Sequence, residues 1–324
     1  MASRAERSTT QPLAGPFAIG PEDVSPLNLL FSSAFTERYR RDGLVGVRVP
    51  PLNPAIWRYA IDGAGRGAML WRDAAGDIAA FNLAHVSGAE GWMGPLAVRE
   101  DRQGTGQGKA IVRAGIDHLV GASCRTIGLE TMPRTVDNIG FYSGLGFIPG
   151  HLTVTLTVDA AAAPVPCSVL STLTAADRDD SIAECAALTA SLVPGADYSR
   201  EIRLTHELSL GDTLLVRRAG AIVGFALCHA APLVEGRSRE ELRVLKLAAA
   251  DQDAFDTLLG PLASLARRSA TARAALRVQG EHGSAFAAVM RAGGRVRWTD
   301  LRMTLDGYAQ PEKASGIVFT NWEI

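Results

Sequence analysis

The spacing of apolar and polar positions changes period several times along the chain. Residues 26–40, PLNLLFSSAFTERYR, carry apolar side chains at the three- and four-residue spacing of an amphipathic helix, and Pro54 to Tyr59 predicts a second, short one. Residues 67–86 alternate about a glycine-containing turn and predict a β-hairpin, with a further strand over 91–98. Ile111, Val112, Ile116, Leu119 and Val120 restore helical spacing within 109–120. TIGLETM at 126–132 is again strand-like, and a short helical segment around NIGFYSGLG leads to a final strand pair. A strand, a glycine-rich turn, a helix and a strand in succession make a βαβ unit. A mixed α/β (α+β) sheet flanked by helices is therefore expected, with a ligand near the strand-to-helix turn.

The same pattern recurs later. LWRDAAGDIAAFNLAH at 70–85 is matched by LVRRAGAIVGFALCH at 215–229, and LTVTLTVD at 152–159 resembles WTDLRMTLD at 298–306. Both pairs are offset by about 144–148 residues, a period that points to a duplicated unit. The small-residue run DAAAAPVPC, 159–167, carries Pro164 and Pro166 and supplies a boundary. Two tandem domains follow, 1–160 and 161–324, each predicted to be a twisted mixed sheet with helices. The tail ends in IVFTNW, an apolar β-prone stretch expected to dock as an extra strand or across the first domain, either of which would bury Trp322.

Composition narrows the function. The length of 324 residues fits two domains, and 33 Lys plus Arg against 34 Asp plus Glu leaves a formal charge of -1, with no net field to attract nucleic acid or an anionic membrane. No apolar run approaches the roughly 18–20 residues of a membrane span. The four cysteines, Cys124, Cys167, Cys185 and Cys228, are scattered, which argues against a zinc site or a disulfide scaffold. Arg4 and Arg7 precede a stretch broken by Pro and Gly rather than a leader's apolar core, so a cytoplasmic protein, monomer or homodimer, is expected.

The chemistry concentrates in PLAVREDRQGTGQGKAIV, 95–112. Gly104, Gly106 and Gly108 let the backbone approach a ligand and expose N–H groups beside the positive end of a helix, which makes a phosphate cradle; the alternative is a flexible solvent loop whose glycines only make turns. Ala110 stands where a P-loop needs a hydroxyl, and GxGxG is not the dinucleotide fingerprint GxGxxG. Gln103, Gly106 and Gly108 fit the Q/R-x-x-G-x-G/A pattern of the GNAT superfamily of acyl-CoA-dependent N-acyltransferases, after a Leu-x-Val strand at Leu96 to Val98. Asn138, Phe141, Tyr142 and Gly144 to Phe147 resemble that family's second signature in compressed form.

The resemblance implies that Leu96, Ala97 and Val98 pair with the pantetheine arm of acetyl-CoA. The N–H groups of Gln103, Gly104, Thr105, Gly106, Gln107, Gly108 and Lys109 would receive the pyrophosphate, and Asn138 would bond to the cofactor arm. Tyr142 would protonate the departing thiolate of the CoA product; the alternative is a core or interface ring beside Phe141. Glu130, on the strand before Tyr142, is the candidate base; the alternative is a carboxylate satisfied by Arg134 or a backbone amide. His85 and His118 are poorer candidates, and Trp57, Tyr59 and Trp92 either line the acceptor pocket or pack. No metal is implied. In the second half, 245–266 falls over the cradle with Ala254, Thr257 and Leu259 opposite Gln103, Gly106 and Gly108, and Met290 falls opposite Tyr142. A degenerate copy that does not bind acyl-CoA is expected there, while the acidic run 235–241 is a solvated loop or a channel rim. The implied activity is acetyl transfer to a primary amine, a small molecule or a peptide, by direct attack in a ternary complex; the alternative is a sensor that binds acyl-CoA without turnover.

Overall fold

The computed structural model describes residues 12–311 and 315–322. Arg4 and Arg7, on which the leader reading turned, lie outside the described residues. The first half runs β1 (Ala14–Ala18), α1 (Val24–Arg41), α2 (Pro54–Ala64), β2 (Ala68–Arg72), β3 (Ile78–Ser87), β4 (Glu90–Val98), α3 (Gln107–Gly121), β5 (Thr126–Thr131), α4 (Val136–Ser143) and β6 (Phe147–Asp159). The second runs β7 (Ser168–Val169), α5 (Ala175–Leu192), α6 (Ser199–Glu207), β8 (Gly211–Arg218), β9 (Ala221–His229), β10 (Glu241–Ala249), α7 (Gln252–Arg268), β11 (Arg273–Gln279), α8 (Gly283–Arg291) and β12 (Arg295–Leu305). The same order of strands and helices is written twice, and β13 (Ile317–Thr320) is added at the end. β1 was not expected, because its glycine and proline read as breakers; it is an edge strand against β2, where a missing N–H is tolerated.

The expectation of a separate sheet in each half, with its own final strand pair, is corrected. All the strands form one sheet in the order β1-β2-β3-β4-β5-β12-β6-β11-β10-β9-β8-β7, with β13 on β10. Each half sends its last strand across the midline: β12 pairs with β5, β6 pairs with β11, and the two run antiparallel to each other between them. The long β-prone run of β6 satisfies hydrogen bonds on both edges without a partner from its own half. Helices cover both faces. Leu27, Phe31, Trp57, Leu70 and Phe81 pack α1 and α2 on one, while Ile111, Val112, Leu119, Leu129 and Phe147 pack α3 and α4 on the other. Ile56 and Tyr59 of α2 belong to the second half's core, beside Tyr198 and Ile202 of the opposite half, so hydrophobic burial crosses the midline too.

Candidate functional site

The two central parallel pairs diverge in the same way. β4 pairs with β5 only from Glu90 to Met93, against Thr126 to Leu129, and the Gly94–Val98 segment keeps β3 on its other edge while parting from β5. In the second half β10 pairs with β11 only from Glu241 to Arg243, and the vacated edge, Lys246 to Ala249, is taken by β13. An extended segment of the chain's own tail thus adds as a strand at the splay of one half. At the splay of the other lies a cavity of about 920 Å³.

That cavity brings together Leu96, Ala97, Val98, Gln103, Gly104, Gly106, Gly108, Lys109, Glu130, Asn138 and Tyr142; Thr105 and Gln107 stand outside its lining. Gly104 and Gly106 have φ of +73° and +88°, and a Cβ on either would meet open space, so these glycines are set by backbone conformation rather than crowding. Gly106 is the N-cap of α3 and makes no side-chain cap bond. The amide of Gln103 donates to the Glu100 carbonyl and that of Lys109 to the Gly106 carbonyl, both at 3.1 Å. Among the described residues, the amides of Gly104 to Gly108 between them have no such loop partner. The Gln103 side chain braces the loop by donating to the Val98 carbonyl at 2.8 Å and accepting from Arg41 at 3.1 Å.

The counterpart loop is shorter. Eight residues, 99–106, separate β4 from α3, but only two, 250–251, separate β10 from α7. The correspondence of Ala254, Thr257 and Leu259 with the cradle is therefore corrected: α7 starts six residues earlier than that alignment places it, and Asp251 occupies the position of Gly106. The Asp251 carboxylate accepts from the Ala254 amide at 2.8 Å and caps the helix whose counterpart is uncapped. Met290 lies on α8 as Tyr142 lies on α4.

Tyr142 is buried against Phe141 and Phe147, ring centroids 5.2 and 6.0 Å away, and burial pushes its hydroxyl up to about 12. It is a neutral O–H donor throughout the physiological range. Asn138, half-buried on the same helix, donates to the Thr131 hydroxyl at 3.4 Å.

Glu130 departs from the role of base. Its side chain is wholly buried, bonded to Arg277 at 2.7 Å, Arg302 at 2.9 Å and the Thr153 hydroxyl at 2.5 Å, with Arg134 not among these partners. Burial alone would raise its pKa, but the two guanidinium groups and the hydroxyl outweigh that and hold it at about 2. Such a carboxylate is fully charged at neutral pH and holds a proton only in about one molecule in 10⁵. Both arginines come from the second half, which is why the sequence, read one half at a time, did not show them. Arg302 also lies over the Trp322 ring, 3.9 Å from its centroid, and donates to Thr320.

Other candidates fall outside the cavity lining. His85 stacks on Trp92 with centroids 4.0 Å apart, and burial lowers its pKa to about 3. Trp57 is a core ring against Phe31 and Phe81, and Tyr59 packs on His229. The lining residues that sequence reasoning missed are Phe31, Phe35, Arg38 and Arg41 of α1, Leu233 and Val234, Trp298 and Asp300 of β12, and Trp322. The 235–241 run lies just beyond that rim, its Glu235 amide on the Pro51 carbonyl at 3.5 Å. Among the described residues no cluster of His, Cys, Asp or Glu is placed to hold a metal, and no helix is long and apolar enough to cross a membrane.

Comparison with known proteins bears on this geometry. Residues 33–147 match the model of the acetyltransferase (GNAT) family, and no curated protein matches the chain in sequence. Among solved structures, a candidate acetyltransferase from Pyrococcus horikoshii is 13% identical with a TM-score of 0.66, covering 98% of this chain and 96% of its own. A tandem GNAT protein from the clavulanic acid biosynthesis pathway is 13% identical at a TM-score of 0.56, covering 93% and 99%. Saccharomyces cerevisiae N-myristoyltransferase, solved with myristoyl-CoA, is 10% identical at 0.62, covering 95% and 83%. At such identities the structures report the fold alone. The family match covers residues 33–147, which carry the glycine loop, Glu130 and Tyr142, and the likeness of the whole chain to these structures is one of fold.

Proposed function

We propose that the protein is an N-acetyltransferase that moves the acetyl group of acetyl-CoA to a primary amine by direct attack in a ternary complex. The observation that carries this reading is the paired splay: the edge of β10 is occupied by an extended peptide, while the equivalent edge of β4 borders a large cavity and leads into an uncapped helix N-terminus. Such an edge binds extended amide-bearing chains by strand addition. The free amides of the Gly104–Gly108 loop and the adjoining helix end suit a pyrophosphate, and Arg41 and Lys109 add positive charge beside them.

When bound, acetyl-CoA supplies an acyl thioester. Leu96 to Val98 orient it through backbone groups, and the loop fixes its charged end. As the amine nitrogen bonds to the acyl carbon and the carbon–sulfur bond breaks, Tyr142 passes its hydroxyl proton to the leaving sulfur. The ammonium loses its extra proton to solvent water before attack, and the proton lost by the nitrogen on acylation returns through water to the Tyr142 oxygen. The burial that raises the Tyr142 pKa favours a neutral thiol over a thiolate in the same site. Glu130 acts by position: it fixes Arg277 and Arg302 beneath the cavity instead of taking the amine's proton. The second half, with Asp251 on its helix end and β13 along its strand edge, serves as scaffold and cavity wall.

The test is release of free thiol from acetyl-CoA with a panel of amines, beside calorimetric titration with CoA. Turnover together with CoA binding, the latter weakened by substitution in the Gly104–Gly108 loop, is expected. CoA binding without turnover on any amine would favour a sensor, and no CoA binding would overturn the reading.

A further inference from the structure

The lining of the cavity is of two chemical kinds. Its lining cations, Arg38, Arg41 and Lys109, stand on the last turns of α1 and the first turn of α3, beside the glycine loop. A second group of lining residues is apolar. Phe31 and Phe35 lie with ring centroids 4.5 Å apart, Leu52 is bridged by Val234 from the second half, and Trp298 of β12 meets Tyr39 of α1 at 6.2 Å. This wall is therefore built jointly, by a helix of the first half and by a loop and a strand of the second.

Four carboxylates line the cavity, Glu37, Glu130, Asp137 and Asp300. Glu37 is taken by Arg40 and Arg41, Asp137 faces Arg38 at 3.6 Å, and Glu130 is clamped by two guanidinium groups and a hydroxyl. Asp300 differs. One oxygen accepts from Arg277 at 2.9 Å and the other from the Trp298 indole N–H at 3.1 Å. A carboxylate offers about four lone-pair sites, and Asp300, a cavity-lining residue only 1% exposed, uses one on each oxygen in these bonds; burial pushes its pKa up, so a further cationic donor would stabilise its charged form. Trp298 and Asp300 sit two residues apart, on one face of the same strand, so an aromatic surface and an acceptor adjoin. The charges of Arg277, Arg302, Glu130 and Asp300 sum to zero; without Asp300 the group would carry +1 and repel a cation.

The geometry points to a composite acceptor site in which an apolar or aromatic primary amine, entering as its ammonium ion, docks its charge on Asp300 and its body against Trp298, Tyr39, Phe35 and Val234. This rests on the acetyltransferase reading and adds the acceptor class to it. An anionic group in place of the ammonium would meet the Asp300 carboxylate, and small polar amines would leave the apolar wall wet.

Equilibrium binding tests the site whether or not turnover is seen. Phenethylamine, ethanolamine and 3-phenylpropionate are titrated calorimetrically into the CoA-saturated protein and into the Asp300→Asn and Trp298→Ala variants, with CoA affinity and thermal unfolding measured on each. Phenethylamine should bind at least about tenfold more tightly than either of the others, as expected for a charge-assisted contact plus an apolar one. Each variant should weaken it about tenfold or more while CoA affinity stays within about twofold. Trp298 is 37% exposed, so its truncation keeps the test open if Asp300→Asn fails to fold. Equal binding of the amine and the acid, or variants that bind phenethylamine like the parent, would overturn the assignment. Loss of CoA binding in the parent would strike the acetyltransferase reading instead.

Discussion

Replacing Glu130 by glutamine separates a clamp from a base. In the folded protein the carboxyl is held at about 2 against an ordinary value of 4.5. A difference of that size corresponds to about 3 kcal/mol of stabilisation at neutral pH, the lower end of what breaking a buried ion pair costs. The amide keeps the shape and can still accept from Thr153, but its N–H₂ faces guanidinium donors. Because the folded pKa is depressed, the stabilisation is complete above about pH 4.5 and disappears as pH falls through about 2. Glu130→Gln should therefore unfold about 3 kcal/mol more easily at pH 7, a fall in Tm of roughly 4 °C for a chain of this length, and the gap should close near pH 2. Urea unfolding followed by circular dichroism at pH 7, 4 and 3 measures it. A variant as stable as the parent at pH 7, or a gap that ignores pH, would refute the clamp. So would a neutral-pH limb of the rate profile that vanishes in the variant, since that limb would then belong to Glu130.

Tyr142→Phe should lower kcat about 100-fold or more with CoA affinity unchanged, by steady-state assay and calorimetry; an unaltered kcat would remove it as the proton donor. Gly106→Ala forces a side chain into φ +88°, a cost of about 1–2 kcal/mol that should fall on loop geometry and weaken CoA binding about tenfold, and unchanged affinity would count against the cradle. Trp322→Ala removes a ring that is 1% exposed and should cost about 3–5 kcal/mol in a denaturation experiment; a loss under 1 kcal/mol would mean that the tail is not integral to the fold. His85→Asn should leave the rate profile between pH 5 and 9 in place, because burial holds His85 near 3 and it is already neutral across that window; a shifted limb would show otherwise.

The local elements were legible because their causes are local. The spacing of Ile111, Val112, Ile116 and Leu119 makes α3, and Gly104 and Gly106 take left-handed φ in the loop that the glycine spacing marks. Cradle, Asn138 and Tyr142 reach one cavity because a βαβ unit and the helix after it fix their separation. The cradle alignment in the second half failed for an equally local reason: six missing loop residues shift the register of everything after β10, and a strand match carried forward past them misplaces the helix start.

The exchange of final strands is of another kind. Nothing in FIPGHLTVTLTVD or RVRWTDLRMTL says which neighbour each will choose, since both are β-prone and either could pair within its own half. Yet that choice fixes the chemistry around Glu130. Were β6 beside β5, residues 1–160 would have to supply partners for a buried carboxylate, and the strand that carries Arg302, Asp300 and Trp298 would be elsewhere. With β12 in that place, Arg302 lies opposite Glu130 in register, and Arg277 reaches it from β11. A carboxylate in the middle of TIGLETM was a sound signal of something unusual, because its burial has to be compensated. Compensation by a base's raised pKa and compensation by two distant arginines look identical from within one half. The discriminating residues were visible as polar positions on alternate sites of an otherwise strand-like run, Asp300 and Arg302. Such a pair in one half of a duplicated chain, with a lone buried acid in the other, is itself a reason to suspect that the halves complete each other's interiors.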